Sequence, residues 1–327
     1  MTRSDPPGTQ TFAFLLLPNF ALMSFAAATE PLRAANLLAG AELYRIVHLS
    51  ADGGPVRSSS GIELRCEPLG GALPHTLFVC AGGSPADWSE PRLSPALRQL
   101  ARAGVRLGGI SGGPYLLAAA GLLGGRDFTL HWEHAPALIE AFPGLAPRAA
   151  RFVIAGDRIT CGGGVAPLDM MHALIAERLG PDFARRVSDW YLHTAVSEPG
   201  DPQRAAAAER HGTHHPALLM ALEKMEATVE APLSREALAR LVGVSPRHLD
   251  RLFARHLGTG FLARYREIRL GQARRLLRQS PLGLSQIAFA TGFSGAGHFA
   301  RVFRAAMGTP PGRWRAEQAG GRGTTDG

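Results

Sequence analysis

Apolar residues in the first half of the chain fall into short runs separated by longer stretches of helical spacing. Phe12–Leu17 (FAFLLL) is a strand-sized run closed by Pro18-Asn19, and Ala21–Leu38 follows with helical periodicity. Glu42–Ser50 and Thr76–Cys80 read as strands, and Ser94–Ala103 as a helix. Val105–Ile110 is a strand broken by Ser111-Gly112-Gly113 ahead of a helix over Tyr115–Leu123. Arg151–Cys161 alternates about Gly156-Asp157 as a hairpin would, and Val165–Leu179 is helical again. Strands alternating with helices of this length predict a mostly parallel, flavodoxin-like, doubly wound α/β sheet over residues 10–196.

The pattern lapses over residues 197–215 into Pro, Gly, charge and an alanine run, which reads as a linker with some helix in it. From 216 to 317 every segment is helical, and two stretches resemble each other: Arg235–Phe253 and Leu284–Phe303. Each has an apolar-Ala pair, a glycine (Gly243, Gly292) for a tight turn, and a second helix ending in Arg-x-Phe. This is helix-turn-helix spacing, so the expected architecture is an α/β domain followed by an all-α domain with two such motifs. In the second helix of each pair, Leu249, Leu252 and Phe253, or Phe299, Val302 and Phe303, form the apolar face. Arg247, Asp250 and Arg251 look outward in the first; Ala296, Gly297, Ala300 and Arg301 do so in the second. Between them Phe261–Gln279 reads as one helix of about 27 Å, which would space the two outward faces about one DNA turn apart.

Charge sharpens that reading. Residues 212–327 carry 17 Lys+Arg against 8 Asp+Glu, a net of +9, so the rest of this chain of net +8 sums to −1. A small unit of that charge attracts polyanions, nucleic acid first. All but one of the 35 cationic residues are arginine, a bias that argues nothing by itself. Three scattered cysteines (Cys66, Cys80, Cys161) suit neither a disulfide framework nor a zinc site, and no apolar run approaches the length of a membrane span. Met1–Gln10 lacks the pattern of a secretion signal, so the chain reads as cytoplasmic, with no metal and no cofactor implied.

Gly109-Ile110-Ser111-Gly112-Gly113 spells G-x-S-x-G between a strand and a helix, the setting of a nucleophile elbow. Read alone it supports an amidase or esterase using Ser111, with His131, His134, Asp127, Asp157, Asp169, His172 or His193 as partners. None of these stands in a recognisable triad order.

The stretch Pro232–Arg315, above all IAFATGFSGAGHFARVFRAAMGTPP, resembles the AraC/XylS family of transcription regulators along its whole DNA-binding domain. One departure is Phe261, where the family usually has proline. The resemblance implies that Arg247, His248, Asp250 and Arg251 meet promoter DNA from the first recognition helix. It implies the same of Gly295, Ala296, Gly297, His298 and Arg301 from the second. Residues 12–195 resemble the class I glutamine-amidotransferase-like superfamily, in its intracellular protease/amidase-like branch, through CAGG, SGGPYLLAAAGLLGGRDFTLHWEHAPALIEAFP and DRITCGGGVAPLDMMHALI. There the elbow nucleophile is cysteine; here it is Ser111, His131 keeps the base position, and Pro18–Leu22 offers no carboxylate to orient it. A serine without an oriented base is a poor nucleophile. The fusion resembles the GlxA-type regulators, and Phe20–Gly40 resembles the subset that senses arginine, betaine or carnitine-like amines. The implied arrangement is a catalytically silent cup formed by Ser111, Gly112, Tyr115, His131 and Trp132. It would hold a small amine or amino-acid-like effector in a homodimer, most simply an activator that engages RNA polymerase.

Overall fold

Strands buried on both faces have no polar side to alternate with, which explains the unbroken apolar runs of the first half. The computed structural model describes residues 8–88, 90–204 and 207–320, so most of the segment read for a secretion signal lies outside it. β1 (Gln10–Leu16) sends Phe12, Phe14 and Leu16 to one face of the sheet, and Ala13 and Leu15 to the other. β5 (Thr76–Ala81) repeats this, with Phe78 and Cys80 opposed to Leu77 and Val79. Every other side chain therefore meets a separate core, and the two strands form the centre of the sheet.

The elements of this unit run β1, α1 (Leu22–Ala39), β2 (Tyr44–Ser50), β3 (Gly54–Arg57), β4 (Glu63–Pro68), β5, α2 (Leu93–Arg102), β6 (Arg106–Ser111) and α3 (Gly113–Ala119). They continue with α4 (Ala135–Ala141), β7 (Phe152–Ala155), β8 (Arg158–Cys161), α5 (Ala166–Leu179) and α6 (Pro181–Trp190). The strands form one sheet in the order β3-β4-β2-β1-β5-β6-β8-β7. β2, β1, β5, β6 and β8 are mutually parallel, while β3 and β7 run antiparallel to their neighbours β4 and β8 at the two edges. Side chains of α1, α5 and α6 fill one core; those of α2, α3 and α4 fill the other. The fold is the flavodoxin-like, doubly wound sheet that the alternation predicts. The β3/β4 pair, α4 and α6 are additions to that prediction: the first is mostly exposed and polar, so it leaves no apolar trace in the sequence.

The chain divides into two compact units between Gln203 and Arg204, inside the segment expected to be a linker. The second unit comprises α7 (Ala207–His211), α8 (Pro216–Ala227), α9 (Arg235–Leu241), α10 (Pro246–Leu257), α11 (Phe261–Gln279), α12 (Leu284–Ala290), α13 (Ala296–Met307) and α14 (Pro311–Gly320). Ser234 and Ser245 cap α9 and α10, their hydroxyls accepting from the amides of Ala237 and His248. There are two cores. Phe261 and Tyr265, from the start of α11, pack with Leu238, Leu249, Leu252 and Phe253; Leu270, Leu276 and Leu277, from its end, pack with Ile287, Phe293, Phe299 and Phe303. Arg269 covers the second core, its Nε donating to the Thr291 carbonyl at 2.8 Å while its guanidinium lies 4.1 Å over the Phe293 ring.

The turn between α12 and α13 depends on Gly292. Its φ of +70° is left-handed, and a Cβ there would lie 2.5 Å from the Val229 carbonyl oxygen. Gly292→Ala is expected to destabilise the helical unit by more than the about 1–3 kcal/mol of backbone strain alone. Denaturant unfolding followed by circular dichroism checks this; an unchanged midpoint would refute it.

Candidate functional sites

Ser111 closes β6 at a sharp turn into α3, with φ at +61° and 8% of its surface exposed. The turn is held from every side by atoms that leave room only for glycine. Gly112 lies under the Trp88 indole, where a Cβ would come within 2.1 Å of the ring; a Cβ on Gly113 would meet the Val79 carbonyl at 1.9 Å. Trp88 is fixed in turn by its Nε1, which donates to the Gly82 carbonyl at 2.6 Å. The Gly112 amide donates to the Ala81 carbonyl at 2.9 Å, so the N–H that follows Ser111 is already committed.

His131 is joined to this turn through backbone, its amide donating to the Ser111 carbonyl at 3.1 Å. Its Nδ1 accepts from the Glu133 amide at 3.3 Å, and among the described residues no hydrogen bond links its ring to the Ser111 hydroxyl. Burial, opposed by Glu133, holds its pKa below the usual histidine value. Asp169 and His193 do pair, but elsewhere. The Asp169 carboxylate, 1% exposed, accepts from His193 Nε2 (2.7 Å), from Arg151 Nε and Nη2 (3.0 and 2.7 Å) and from the Ser197 amide (3.0 Å). His172 bonds the Ser188 hydroxyl instead, Asp127 pairs with the exposed Arg148, and Asp157 pairs with Arg126 and the buried Arg158.

The open space lies beside the elbow rather than over it. A cleft of about 190 Å³ is lined by His131, Trp132, Arg151, the glycine run Gly162–Gly164, Val165, Ala166 and Gln203. Gly163 is its link to the elbow, since a Cβ there would touch the Ser111 Cβ at 2.8 Å. No acidic side chain lines the cleft, and Asp169 reaches Arg151 from behind, holding Nε and Nη2 and leaving Nη1 without a hydrogen bond among the described residues. Tyr115 is not part of it: the ring packs edge-on against Trp88 and Phe142, on the α3 side of the sheet. A larger groove of about 530 Å³, beside Thr11, Val47 and Leu77, holds none of the residues singled out from the sequence.

In the helical unit, α10 and α13 present the outward faces. Arg247 and Arg251 are exposed on α10, with His248 between them; Arg251 Nη2 lies 3.2 Å from His248 Nδ1. Asp250 is held by Arg235 of α9 at 3.0 Å. On α13, Gly297, His298 and Arg301 are exposed and Gly295 and Ala296 half-buried; His298 Nδ1 bonds the Ser294 hydroxyl at 3.0 Å.

Residues 12–177 match the DJ-1/PfpI family and residues 238–317 the helix-turn-helix domain. The chain is 64% identical, over 95% of its length and 97% of the relative's, to the HTH-type transcriptional regulator GlxA of Rhizobium meliloti. It is 42% identical, over 94% and 92%, to the HTH-type transcriptional regulator CdhR of Pseudomonas aeruginosa. The chain belongs to the GlxA-type helix-turn-helix transcriptional regulators. An AraC family regulator from Pseudomonas putida aligns with 56% of this chain and 99% of its own, at 30% identity and a TM-score of 0.53. The regulator thus joins a DJ-1/PfpI unit to an AraC-type DNA-binding unit, and no helix among its described residues is long and apolar enough to cross a membrane.

Of the five residues expected to form a cup, only His131 and Trp132 line the cleft; Ser111 and Gly112 are packed beneath Gly163 and Trp88, and Tyr115 faces another layer. Arg151 and Gln203 are additions that sequence reasoning missed. An arginine placed directly ahead of the apolar run Phe152–Ala155 was a usable signal for the first; Gln203, inside a low-complexity stretch, left none.

Burial also lowers the pKa of His48, His75, His172 and His211. With His131, these groups bind protons less readily folded than unfolded. Their contribution to stability is complete above the unfolded value of about 6.5 and is lost as pH falls through the lower folded values. The regulator's melting temperature is expected to drop between about pH 7 and about pH 5, and to drop less in His131→Gln. Parallel melting curves for the two proteins would refute the assignment for His131.

Proposed function

We propose that this DNA-binding transcriptional regulator is controlled by a small amine-bearing carboxylate that occupies the cleft beside Ser111 and is not chemically changed there. The observation that carries the reading is the cleft's lining: an arginine braced by a buried carboxylate, an indole and, among the described residues, no acidic side chain. Arg151 suits the effector's carboxylate, and the Trp132 face suits its cationic head. The resemblance of Phe20–Gly40 to amine-sensing regulators points to the same ligand class, and in this reading its Glu30 and Arg33 pair with each other at 2.6 Å as part of the scaffold. The Ser111 and His131 side chains share no hydrogen bond, so the hydroxyl lacks the base that acyl transfer requires. The homodimer, activation and contact with RNA polymerase belong to the same proposal, as does the assignment of residues 216–317 to promoter recognition.

Glycine betaine and L-arginine, added to the full chain, are expected to raise its melting temperature, and choline and agmatine, which lack the carboxylate, are not. Equal shifts, or none from any of the four, would overturn the ligand class. The esterase reading rests on the left-handed Ser111 turn, and a fluorophosphonate probe decides it: covalent labelling of Ser111 would displace the silent-sensor reading. Ser111→Ala is expected to leave effector-dependent transcription intact.

On the DNA side, bidentate guanine contact is open to Arg247 and Arg251, whereas Ala296 and Gly297 offer shape and methyl contact only. Arg251→Ala is expected to weaken binding to a duplex selected by the full chain by about 1–3 kcal/mol and to relax the preference at one or two base pairs. An unchanged selected sequence would refute its role. Affinity should also fall steeply with salt, as released counterions require.

A further inference from the structure

The chain that leaves the α/β unit is stitched to the rim of the cleft. Ser197 donates its amide to Asp169, and the Pro199 carbonyl accepts from the amides of Arg151 (3.0 Å) and Phe152 (3.4 Å). The segment ends in Gln203, whose carboxamide is saturated. Its Oε1 accepts from the Trp132 amide at 2.9 Å, and its Nε2 donates to Thr129 Oγ1 (3.0 Å) and to the Leu130 (2.9 Å) and Ala150 (2.6 Å) carbonyls. The carboxamide rests directly on Gly162, where a Cβ would come within 2.6 Å of its carbon. Gln203 also lines the cleft, and the next residue, Arg204, begins the DNA-binding unit.

We propose that Gln203 is an effector-contacting residue and the latch through which occupancy of the cleft is reported to the DNA-binding unit. The proposal rests on the sensor reading above. With Gln203 seated, the cleft has a complete wall; with Gln203 withdrawn, it loses that wall and the hydrogen bonds that the carboxamide makes to the Trp132, Leu130 and Ala150 backbone. An effector therefore binds the latched form more tightly than the unlatched one. That difference in affinity is all that is required for it to shift the balance between a tethered and a released connection to the DNA-binding unit. Gly162 is the latch's seat, and its lack of a side chain is what admits the carboxamide.

The test needs no effector. Full-length Gln203→Ala, Gln203→Glu, Gly162→Ala and the Gly162→Ala/Gln203→Ala double variant are compared by hydrogen exchange across residues 151–152 and 197–203. Their affinity for a duplex selected by the parent protein is measured alongside. Each single variant is expected to exchange faster at these amides and to change DNA affinity by at least about fivefold, all in the same direction. In the double variant the shortened side chain at position 203 leaves room for the methyl added at position 162. It is therefore expected to match Gln203→Ala rather than to add to it. Should Gly162→Ala fail to fold, recovery of folding in the double variant is the expected sign of the shared contact. Unchanged exchange in both Gln203 variants would remove the latch. Faster exchange with unchanged DNA affinity, or strict additivity in the double variant, would remove its role in reporting. Failure of the carboxylate probes leaves this comparison untouched, so the two readings fall separately.

Discussion

Asp169 places a carboxylate where water does not reach, and such a charge persists only if donors come to it. Those donors come from three places in the chain: Arg151 before β7, His193 after α6, and the backbone of Ser197. Helix α5 carries the carboxylate, so satisfying it pins the hairpin edge of the sheet and the departing chain to one helix. The orientation of Arg151 in the cleft and the path of residues 197–203 both follow from that buried charge. It serves as the fixed point of the edge that borders the cleft, although the sequence presents it as one more candidate catalytic acid.

A second theme is how the elbow has been closed while its backbone is kept. The left-handed Ser111, the glycines under Trp88 and Val79 and the adjacent His131 backbone form a tightly constrained turn. What differs is side-chain chemistry. The hydroxyl has no imidazole to deprotonate it, the following amide is spent on Ala81, and the three thiols are buried, with burial pushing Cys161 up to about 12. Under the proposed sensor reading, such rigid geometry suits recognition, because the cost of ordering the site is met before the ligand arrives.

Much of this was legible in the sequence because it rests on periodicity. The apolar runs of β1 and β5, the glycine break at Ser111 and the Phe261–Gln279 helix, whose bounds match the expected ones, are local signals with local causes. The hairpin β3/β4 was not legible, since an exposed edge pair needs no apolar alternation. Neither was the composition of the cleft. Whether Tyr115 and Trp132 share a wall depends on which face of the sheet each reaches, and that is settled by packing between segments far apart in sequence. Gln203 is the clearest case: its partners lie more than fifty residues upstream, and nothing in PGDPQR announces them.

The division of α11 between two cores has a further consequence. Because Phe261 and Tyr265 belong to one core and Leu270 to Leu277 to the other, the helix acts as an axle whose length and rotation are set by its residue count. An α-helix turns by about 100° and advances about 1.5 Å per residue. A single residue inserted between Tyr265 and Leu270 would therefore swing α13 around the axis by more than a quarter-turn relative to α10 while barely lengthening the span. The angular phase between the two outward faces is thus held far more tightly than their separation. Inserting a base pair between the two subsites of an operator would twist one subsite by about a tenth of a turn. A helix that changes phase only in steps of about 100° has no step that small with which to match it.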